Sequence, residues 1–390
     1  MSILQFRENP TLGLYIHLPW CVEKCPYCDF NSHGLKGERP PEKAYIQCLL
    51  KDVERELPLI WGRPIETIFI GGGTPSLFSV TALDQLLSGL RALLDLRFTR
   101  EITLEANPGT DIADKLAELR AIGINRLSVG VQSFADAQLK QLGRIHSAFD
   151  AVRTIEAAQK AGFERINIDL MHGLPGQTPQ AARADLQQAL GLEVSHISWY
   201  QLTIEPHTAF AAFPPQLPED DSLAEIYDQG RALLEQHGFE RYEVSAFCRN
   251  GDYCEHNRNY WQFGDYLGIG AGAHGKITLP AEARIERRRR SAHPNAYMQA
   301  VANGEGIIAE NIPRRELAFE FMLNALRMPE GVPADLFQLR TGQPLAVIRH
   351  TLTALEEDEL IEWGLNHIRP TERGLDYLND VLQRFLPKVP

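Results

Sequence analysis

The chain has 390 residues, of which 44% are hydrophobic and 23% are charged, and its formal net charge is −12. This length suits a large domain with a smaller one, and the negative charge disfavours general binding to nucleic acid, because phosphates need a basic surface. No apolar run approaches the length of a membrane span and residues 1–10 hold no apolar signal core, so we expect a cytoplasmic protein.

Short β-like runs alternate with helix-like stretches before about residue 280. The runs are rich in Ile, Leu, Val, Phe or Thr and end at turn-forming residues: Gly13–Leu18, Thr67–Ile70, Glu101–Ala106, Arg126–Val131, Arg165–Leu170 and Ser195–Ile204. Stretches with apolar residues at helical spacing lie between them: Val80–Leu96, Ala151–Ala161 and Pro179–Leu190. This alternation predicts an α/β fold with a parallel sheet, and the number of units favours a partial, (βα)6-type barrel over residues 1–280.

Polar and glycine-rich segments follow these predicted strands. Residues 21–28 come after the first strand, and Gly71–Pro75 comes after the second. Glu105, Gln132 and Asp169 lie near the ends of the next three. Because a βα barrel carries its functional side chains at the carboxyl ends of its strands, we expect these residues to form one site.

The pattern changes after residue 280. A basic run, Arg287–Arg290, lies in residues 281–310, which we expect to form a solvated linker or hairpin. Two helical segments, a hairpin-like stretch and a last helix from Thr371 predict a winged-helix-like module over residues 311–390. That module holds nine Lys or Arg and twelve Asp or Glu, a poor surface for DNA, so we expect a packing domain.

Three cysteines, Cys21, Cys25 and Cys28, are spaced C-x3-C-x2-C. Thiolates are soft ligands that favour iron–sulfur clusters, zinc or copper(I). A structural zinc site needs four closed ligands, so zinc would require His17 or His33 as the fourth. Three thiolates on a [4Fe–4S] cube leave one iron open for a substrate or cofactor. The spacing favours the cluster and keeps zinc as the alternative.

This cysteine spacing after the first strand of a βα barrel resembles the radical S-adenosylmethionine (SAM) superfamily. In that superfamily the open iron chelates SAM, and the cofactor carries the organic chemistry. Within it, the chain is similar to the oxygen-independent coproporphyrinogen III oxidase group. The resemblance implies that the following side chains bind SAM: Tyr15, Tyr27, Gly72, Gly73, Thr74, Glu105, Gln132, Arg144 and Asp169. Taken alone, Glu105 could instead cap a helix, and Arg144 could form a surface ion pair.

Two branches of this group differ at residue 30. The coproporphyrinogen dehydrogenases carry a further cysteine there, whereas this chain has Phe30, which cannot replace a thiol. Residues 256–260 read His-Asn-x-x-Tyr, similar to the H-N-x-x-Y motif of the HemW-type haem chaperones. The resemblance implies that His256 and Tyr260 contact haem, since imidazole and phenolate are both axial ligands of haem iron. A hydrogen-bonded structural role for His256 is the alternative.

The resemblance therefore implies a haem chaperone with one [4Fe–4S] cluster and SAM, which delivers haem to haem proteins, among them membrane respiratory enzymes. It is compatible with a homodimer and includes no nucleic-acid partner. The alternatives are an oxygen-independent coproporphyrinogen III dehydrogenase, or a radical SAM enzyme for another small molecule. Phe30 puts the dehydrogenase activity in doubt and leaves enzymatic activity open. In such a chaperone, Arg287–Arg290 could meet haem propionates or a membrane protein.

Overall fold

The computed structural model describes residues 4–109 and 112–387. Its strands are β1 (Leu12–Leu18), β2 (Trp20–Cys21), β3 (His33–Gly34), β4 (Ile65–Gly72), β5 (Glu101–Ala106), β6 (Arg126–Gln132), β7 (Arg165–His172), β8 (His196–Gln201), β9 (Glu240–Glu243), β10 (Ala246–Cys248), β11 (Asp265–Ile269), β12 (His274–Leu279), β13 (Arg284–Arg290), β14 (Ile307–Asn311), β15 (Ile361–Trp363) and β16 (Ile368–Pro370). Its helices are α1 (Glu42–Ile60), α2 (Val80–Leu93), α3 (Ile112–Ala121), α4 (Asp136–Gln141), α5 (Ala148–Lys160), α6 (Pro179–Gly191), α7 (Ala209–Ala212), α8 (Asp220–Gln236), α9 (Glu255–Trp261), α10 (Pro294–Ala302), α11 (Leu317–Ala325), α12 (Leu336–Thr341), α13 (Arg349–Glu357), α14 (Glu372–Asp376) and α15 (Leu378–Gln383).

Twelve strands form one sheet, in the order β14-β13-β12-β11-β1-β4-β5-β6-β7-β8-β10-β9. The strands from β11 to β8 run parallel, and antiparallel strands extend the sheet at both ends. Parallel strands covered on both faces are apolar along most of their length, and β6 is buried at every position. The predicted α/β fold with a partial barrel is confirmed, and β11 adds a parallel strand beyond the six predicted.

Local sequence signals set where several outer helices begin. The Ser79 side chain accepts the Ala82 N–H in the first turn of α2, and Thr178 accepts the Ala181 N–H in the first turn of α6. Ser147 and Asp150 form a reciprocal capping box at the start of α5. Each cap fixes the residue at which a helix begins, and therefore the length of the loop between that helix and the carboxyl end of the preceding strand.

The first helix anchors the strand that precedes the cysteine motif. Tyr45 of α1 is fully buried. Its hydroxyl donates to the His17 carbonyl at 2.9 Å and accepts from the Ala271 N–H at 2.8 Å. One side chain therefore links α1, the end of β1 and the segment after β11, which fixes the position where the cysteine loop leaves the sheet.

The basic run lies inside the main sheet. β13 pairs with β12 on one side and with β14 on the other. Arg290 is buried and bonds to Asp52 at 3.1 Å and Glu56 at 2.7 Å. The expectation of a solvated linker is therefore wrong for this run, because it forms β13 and because two carboxylates of α1 neutralise Arg290. The alternative of a hairpin agrees with the antiparallel pair of β12 and β13.

The C-terminal elements form a second apolar core. Phe321 of α11 packs against Phe337 of α12 and also against Phe263, which precedes β11. The predicted hairpin is present as the antiparallel pair of β15 and β16, and two short helices follow it. The domain boundaries at residues 280 and 310 stay a prediction. In the part of the chain that the structure describes, no helix has the length and apolar character of a membrane span.

Candidate functional site

The three motif cysteines lie on the loop that follows β1. The strand pair β2 and β3 closes this loop, and all three thiols are half-buried and free of disulfides. Thr74 Oγ1 donates to Cys21 Sγ at 3.5 Å, and Arg144 Nη1 donates to Cys25 Sγ at 3.7 Å. Ser32 Oγ lies 3.8 Å from Cys28 Sγ. The sulfurs therefore face polar groups that stabilise thiolates.

The donor set suits an iron–sulfur cluster better than a single metal ion. Burial raises the pKa of the Cys21 and Cys28 thiols, which ionise when a metal supplies positive charge. Among the described residues, no three His, Cys, Asp or Glu side chains are grouped closely enough for one ion. Both ring nitrogens of His17 are engaged, by Tyr15 Oη at 2.9 Å and the Asn31 carbonyl at 2.8 Å. These contacts disfavour His17 as the fourth ligand of a zinc site, while His33 stays the other candidate.

A cavity of about 430 Å³ opens beneath the cysteine loop at the carboxyl ends of the parallel strands. The structure brings most of the predicted site residues into its wall: Cys21, Cys25, Tyr27, Cys28, Gly72, Gly73, Thr74, Glu105, Gln132, Arg144 and Asp169. The lining leaves out Tyr15, His256 and Tyr260. The sequence therefore located a common cavity, although SAM contact by these residues stays a prediction.

The glycine segment packs directly against the cysteine loop. The Gly73 N–H donates to the Leu18 carbonyl at 2.9 Å, and the Thr74 N–H donates to the Trp20 carbonyl at 2.7 Å. A Cβ on Gly73 would lie 2.5 Å from the Trp20 carbonyl oxygen, and Gly72 has a φ of +124°. Glycine is thus required here because two backbones approach each other closely.

Two buried carboxyl groups lie deeper in the cavity. Burial raises the pKa of Glu105 to about 8, and the charge of Asp169 adds to this effect. Burial also raises the pKa of Asp169, which accepts hydrogen bonds from Ser128 at 2.9 Å and Asn167 at 2.8 Å. Glu105 accepts the Gly72 N–H at 3.0 Å, so it does not cap a helix. Buried acidic groups whose charged forms are disfavoured fit a ligand with a positive charge and hydroxyl groups, as SAM has.

Arg144 crosses the cavity wall and is half-buried. Its guanidinium donates to Asn107 Oδ1 and to the Gly130 carbonyl, both at 2.8 Å, so the surface ion pair is wrong. Burial raises the pKa of Tyr27, and the charge of Arg144 opposes that rise. The cation therefore lies between a cluster thiol and an aromatic side chain, where it can hold a carboxylate or stabilise a thiolate.

The predicted haem residues lie in the barrel core instead of the cavity. His256 is 1% exposed. Its Nδ1 bonds to Thr67 Oγ1 at 2.9 Å, and its Nε2 bonds to Tyr260 Oη at 2.7 Å. Burial lowers the pKa of His256 to about 4, which keeps the imidazole neutral. The two side chains share a helix face, but neither ring nitrogen is free in this conformation.

Helix α9 carries these residues and closes the amino end of the barrel. Glu101, the first residue of β5, accepts the N–H groups of Glu255 and His256, both at 3.0 Å. The His256 ring lies against Gly13, the second residue of β1, where a Cβ would approach it to 3.2 Å. Asn257, the next residue, lines the floor of the cavity. The motif helix is therefore a plug between the strand starts and the cavity.

Comparison with known proteins agrees with this architecture. Residues 15–189 match the radical SAM superfamily, and residues 312–377 match the HemN C-terminal domain. The protein named "Heme chaperone HemW" of Escherichia coli is 48% identical over 97% of this chain and 98% of its own length. The protein of that name in Haemophilus influenzae is 46% identical over 97% and 98%.

The chain belongs to the HemW family of radical SAM proteins. A mouse protein named "Radical S-adenosyl methionine domain-containing protein 1, mitochondrial" is 37% identical over 97% of this chain and 88% of its own length. The solved structure titled "Coproporphyrinogen III oxidase (HemN) from Escherichia coli is a Radical SAM enzyme" shares the fold, with a TM-score of 0.82 at 23% identity. It covers 98% of this chain and 91% of that one.

Phe30 stands at the mouth of the cavity of this HemW family member. It is 61% exposed and belongs to the cavity lining. An apolar ring that is largely exposed beside the cluster loop supplies no thiol, proton or redox group. Phe30 in place of the cysteine of the coproporphyrinogen dehydrogenases therefore makes this part of the cavity entrance apolar.

Sequence reasoning missed the polar floor of the cavity. Arg126 is 2% exposed and lines the cavity, and among the described residues its Nε has no hydrogen-bond partner. His196 lies beside it with both ring nitrogens bonded, to Asn167 Oδ1 at 2.6 Å and Tyr242 Oη at 2.7 Å. The alternation Arg126-x-Ser128-x-Gly130 along β6 is the signal that could have identified this inward face.

Proposed function

We propose that this protein is a haem chaperone that binds haem and delivers it to haem proteins, with a [4Fe–4S] cluster and SAM bound in the barrel. The observation that carries the proposal is the match along 97% of the chain to a protein named as a heme chaperone, at 48% identity. Phe30 supports it, because the entrance lacks the thiol expected of the dehydrogenase branch.

Cys21, Cys25 and Cys28 would hold the cluster, whose open iron supplies a binding point and one-electron chemistry for SAM. The glycine segment would let its main chain approach the amino-acid part of SAM closely. Glu105 and Asp169 would accept its hydroxyl groups or balance its positive charge. These roles rest on the cavity wall that the residues share.

Four further predicted residues would also support SAM binding, three from the cavity wall and one from behind it. Gln132 accepts a hydrogen bond from the Tyr200 hydroxyl at 2.7 Å, which orients its amide toward the cavity. Arg144 would bind a carboxylate, and Tyr27 would cover the ligand. Tyr15 would act from behind the lining, where its ring packs on Phe69 at 6.2 Å.

Haem contact by His256 and Tyr260 is part of the proposal and requires α9 to move. Both ring nitrogens of His256 are engaged, and its ring packs on Phe69 at 5.3 Å. A porphyrin has no access to either nitrogen while the plug is in place.

We also propose haem-accepting proteins as partners, including membrane respiratory enzymes, and a cytoplasmic location. A homodimer belongs to the same proposal. Pull-down of purified acceptor proteins with the haem-loaded protein tests the partners. The mass of the protein by light scattering, before and after cluster reconstitution, tests the homodimer.

Titration of haemin into the anaerobically reconstituted protein, with and without SAM, tests the function. We expect a Soret shift that saturates at micromolar haemin, and no shift would reject the proposal. Iron and sulfide analysis should give one four-iron cluster per chain, which Cys21→Ser, Cys25→Ser and Cys28→Ser abolish. The buried Cys48→Ser is the matched control. Protoporphyrinogen formed from coproporphyrinogen III under the same conditions would favour the dehydrogenase instead.

A further inference from the structure

Two histidines meet on the surface beside the cysteine loop. His33 lies in β3, which closes that loop, and His293 precedes the first turn of α10. Their ring centroids are 5.3 Å apart and their planes cross at 71°. Chain segments that are distant in sequence thus place two imidazoles together a few residues from Phe30.

The two rings differ in how they are held. His33 Nε2 lies 3.3 Å from Asn31 Oδ1. The Asn31 amide donates to the carbonyls of Ala271 at 2.9 Å and Ala292 at 2.8 Å, which fastens the cysteine loop to the segment before α10. His293 is exposed, and its ring makes no hydrogen bond with any described residue. His293 therefore offers a free nitrogen, while His33 supports its ring from the side.

Two side chains of the neighbouring loop suit the macrocycle and the propionate groups of an iron porphyrin. Phe30 is 61% exposed and presents an apolar ring that could cover a macrocycle. Lys24 Nζ donates to the Phe30 carbonyl at 3.0 Å, and its positive charge acts on His33. A cation beside an apolar surface suits the propionate groups of haem.

Arg287–Arg290 are already neutralised by partners within the protein. Arg287 pairs with Glu320, and Arg289 pairs with Glu310 at 3.3 Å. Arg288 bonds to Glu56, as Arg290 does. Propionate binding by this run is therefore not supported, and Lys24 is the cation at the entrance that the geometry favours.

The other candidate ligand for haem iron is far less accessible. His256 is 1% exposed and both of its nitrogens are bonded. His17 and His196 are likewise buried with both nitrogens engaged. Ligand exchange at an exposed imidazole needs no unfolding of the barrel, whereas ligation by His256 would break two buried hydrogen bonds.

We propose that His293, with His33 against its ring and with Phe30 and Lys24 on the adjacent loop, is the site that first receives the iron porphyrin, with His293 as an axial ligand. This inference rests on the haem-binding function proposed above. It places the first contact with the cargo next to the cysteine loop, before any contact with the motif helix, which requires α9 to move.

Titration of haemin into the full-length, anaerobically reconstituted protein tests the site. His293→Ala should weaken haemin binding about tenfold or more and remove the spectroscopic signature of imidazole ligation. The same variant should bind iron-free protoporphyrin IX as the wild type does, because only the iron uses the imidazole. Added free imidazole should restore the signature. His350→Ala, an exposed histidine in α13, is the matched control.

A second arm tests the propionate contact. Lys24→Gln should weaken haemin binding and leave the binding of haemin dimethyl ester unchanged, because the ester lacks the charge. If His293→Ala binds haemin as His350→Ala does, the inference is overturned while the haem function stands. If the wild type binds no haemin, both fail. If His256→Ala alone loses the iron-ligation signature without loss of structure, the motif helix is the site and the inference is wrong.

Discussion

Replacing His256 by Ala should destabilise the folded protein, independently of any haem. The ring is 1% exposed and bonds to Thr67 at 2.9 Å and Tyr260 at 2.7 Å. Its removal loses two buried hydrogen bonds, worth roughly 1 kcal/mol each, and packing worth roughly 2 kcal/mol. We therefore expect the free energy of unfolding to fall by about 4 kcal/mol at pH 7.5.

The cost of this substitution should depend on pH. The pKa of His256 is lowered to about 4 in the folded protein, against 6.5 for a solvated imidazole. Its unfolded form binds protons more readily, so the stability it provides is complete above pH 6.5 and declines as the pH falls toward 4. At pH 5 the wild type should have lost about 2 kcal/mol that the variant never had. The difference between the two proteins should shrink to about 2 kcal/mol.

Urea unfolding at pH 7.5 and pH 5, followed by circular dichroism and tryptophan fluorescence, measures both quantities. The two signals must coincide before a free energy is taken from them. The other buried histidines titrate in both proteins, so their contributions cancel in the difference. A loss below about 1 kcal/mol at pH 7.5, or an equal difference at both pH values, would refute the buried neutral role of His256.

Three further predictions concern the cavity and the sheet. Gly73→Ala should displace the cysteine loop, because its Cβ would lie 2.5 Å from a main-chain carbonyl oxygen, and should therefore lower the iron and sulfide content after reconstitution. Gly364→Ala, whose Cβ would meet nothing within 4 Å, should leave that content unchanged. Arg290→Ala should cost about 3–5 kcal/mol in urea unfolding, because it leaves the buried Asp52 carboxylate unpaired, whereas Glu56 keeps Arg288. The exposed Arg289→Ala should cost less than about 1 kcal/mol, and equal losses would contradict the buried pairing. SAM affinity measured by calorimetry should rise more steeply from pH 6.5 to about 8 in the wild type than in Glu105→Gln, because a Glu105 pKa of about 8 makes the charged carboxylate scarce at low pH. Parallel pH profiles of the two proteins would exclude this carboxyl from the SAM site.

Much of the barrel could be predicted because its signals are local. Strand β5 spans the predicted Glu101–Ala106, and the other predicted strands differ by a few residues at their ends. Alternating strands and helices imply a parallel sheet, and parallel strands bring their carboxyl ends together. That rule placed the cysteines, the glycine segment, Glu105 and Asp169 around one cavity without any knowledge of distances.

The remaining features depend on partners that are distant in sequence. Four arginines in a row indicate a solvated segment unless Asp52 and Glu56 are known to face them. His256 and Tyr260 share a helix face, and the contact of His256 with Thr67, a residue distant in sequence, shows that this face points into the barrel. Burial of charge and the direction of a helix face are tertiary properties, so local patterns could not supply them.

The plug formed by α9 has a kinetic consequence. Because the motif helix fills the amino end of the barrel, a ligand bound at the floor, beside Arg126 and Asn257, exchanges with solvent past the cysteine loop. SAM bound at the cluster would lie across that route. A ligand at the floor would therefore have to enter before SAM binds and could leave only after SAM has left.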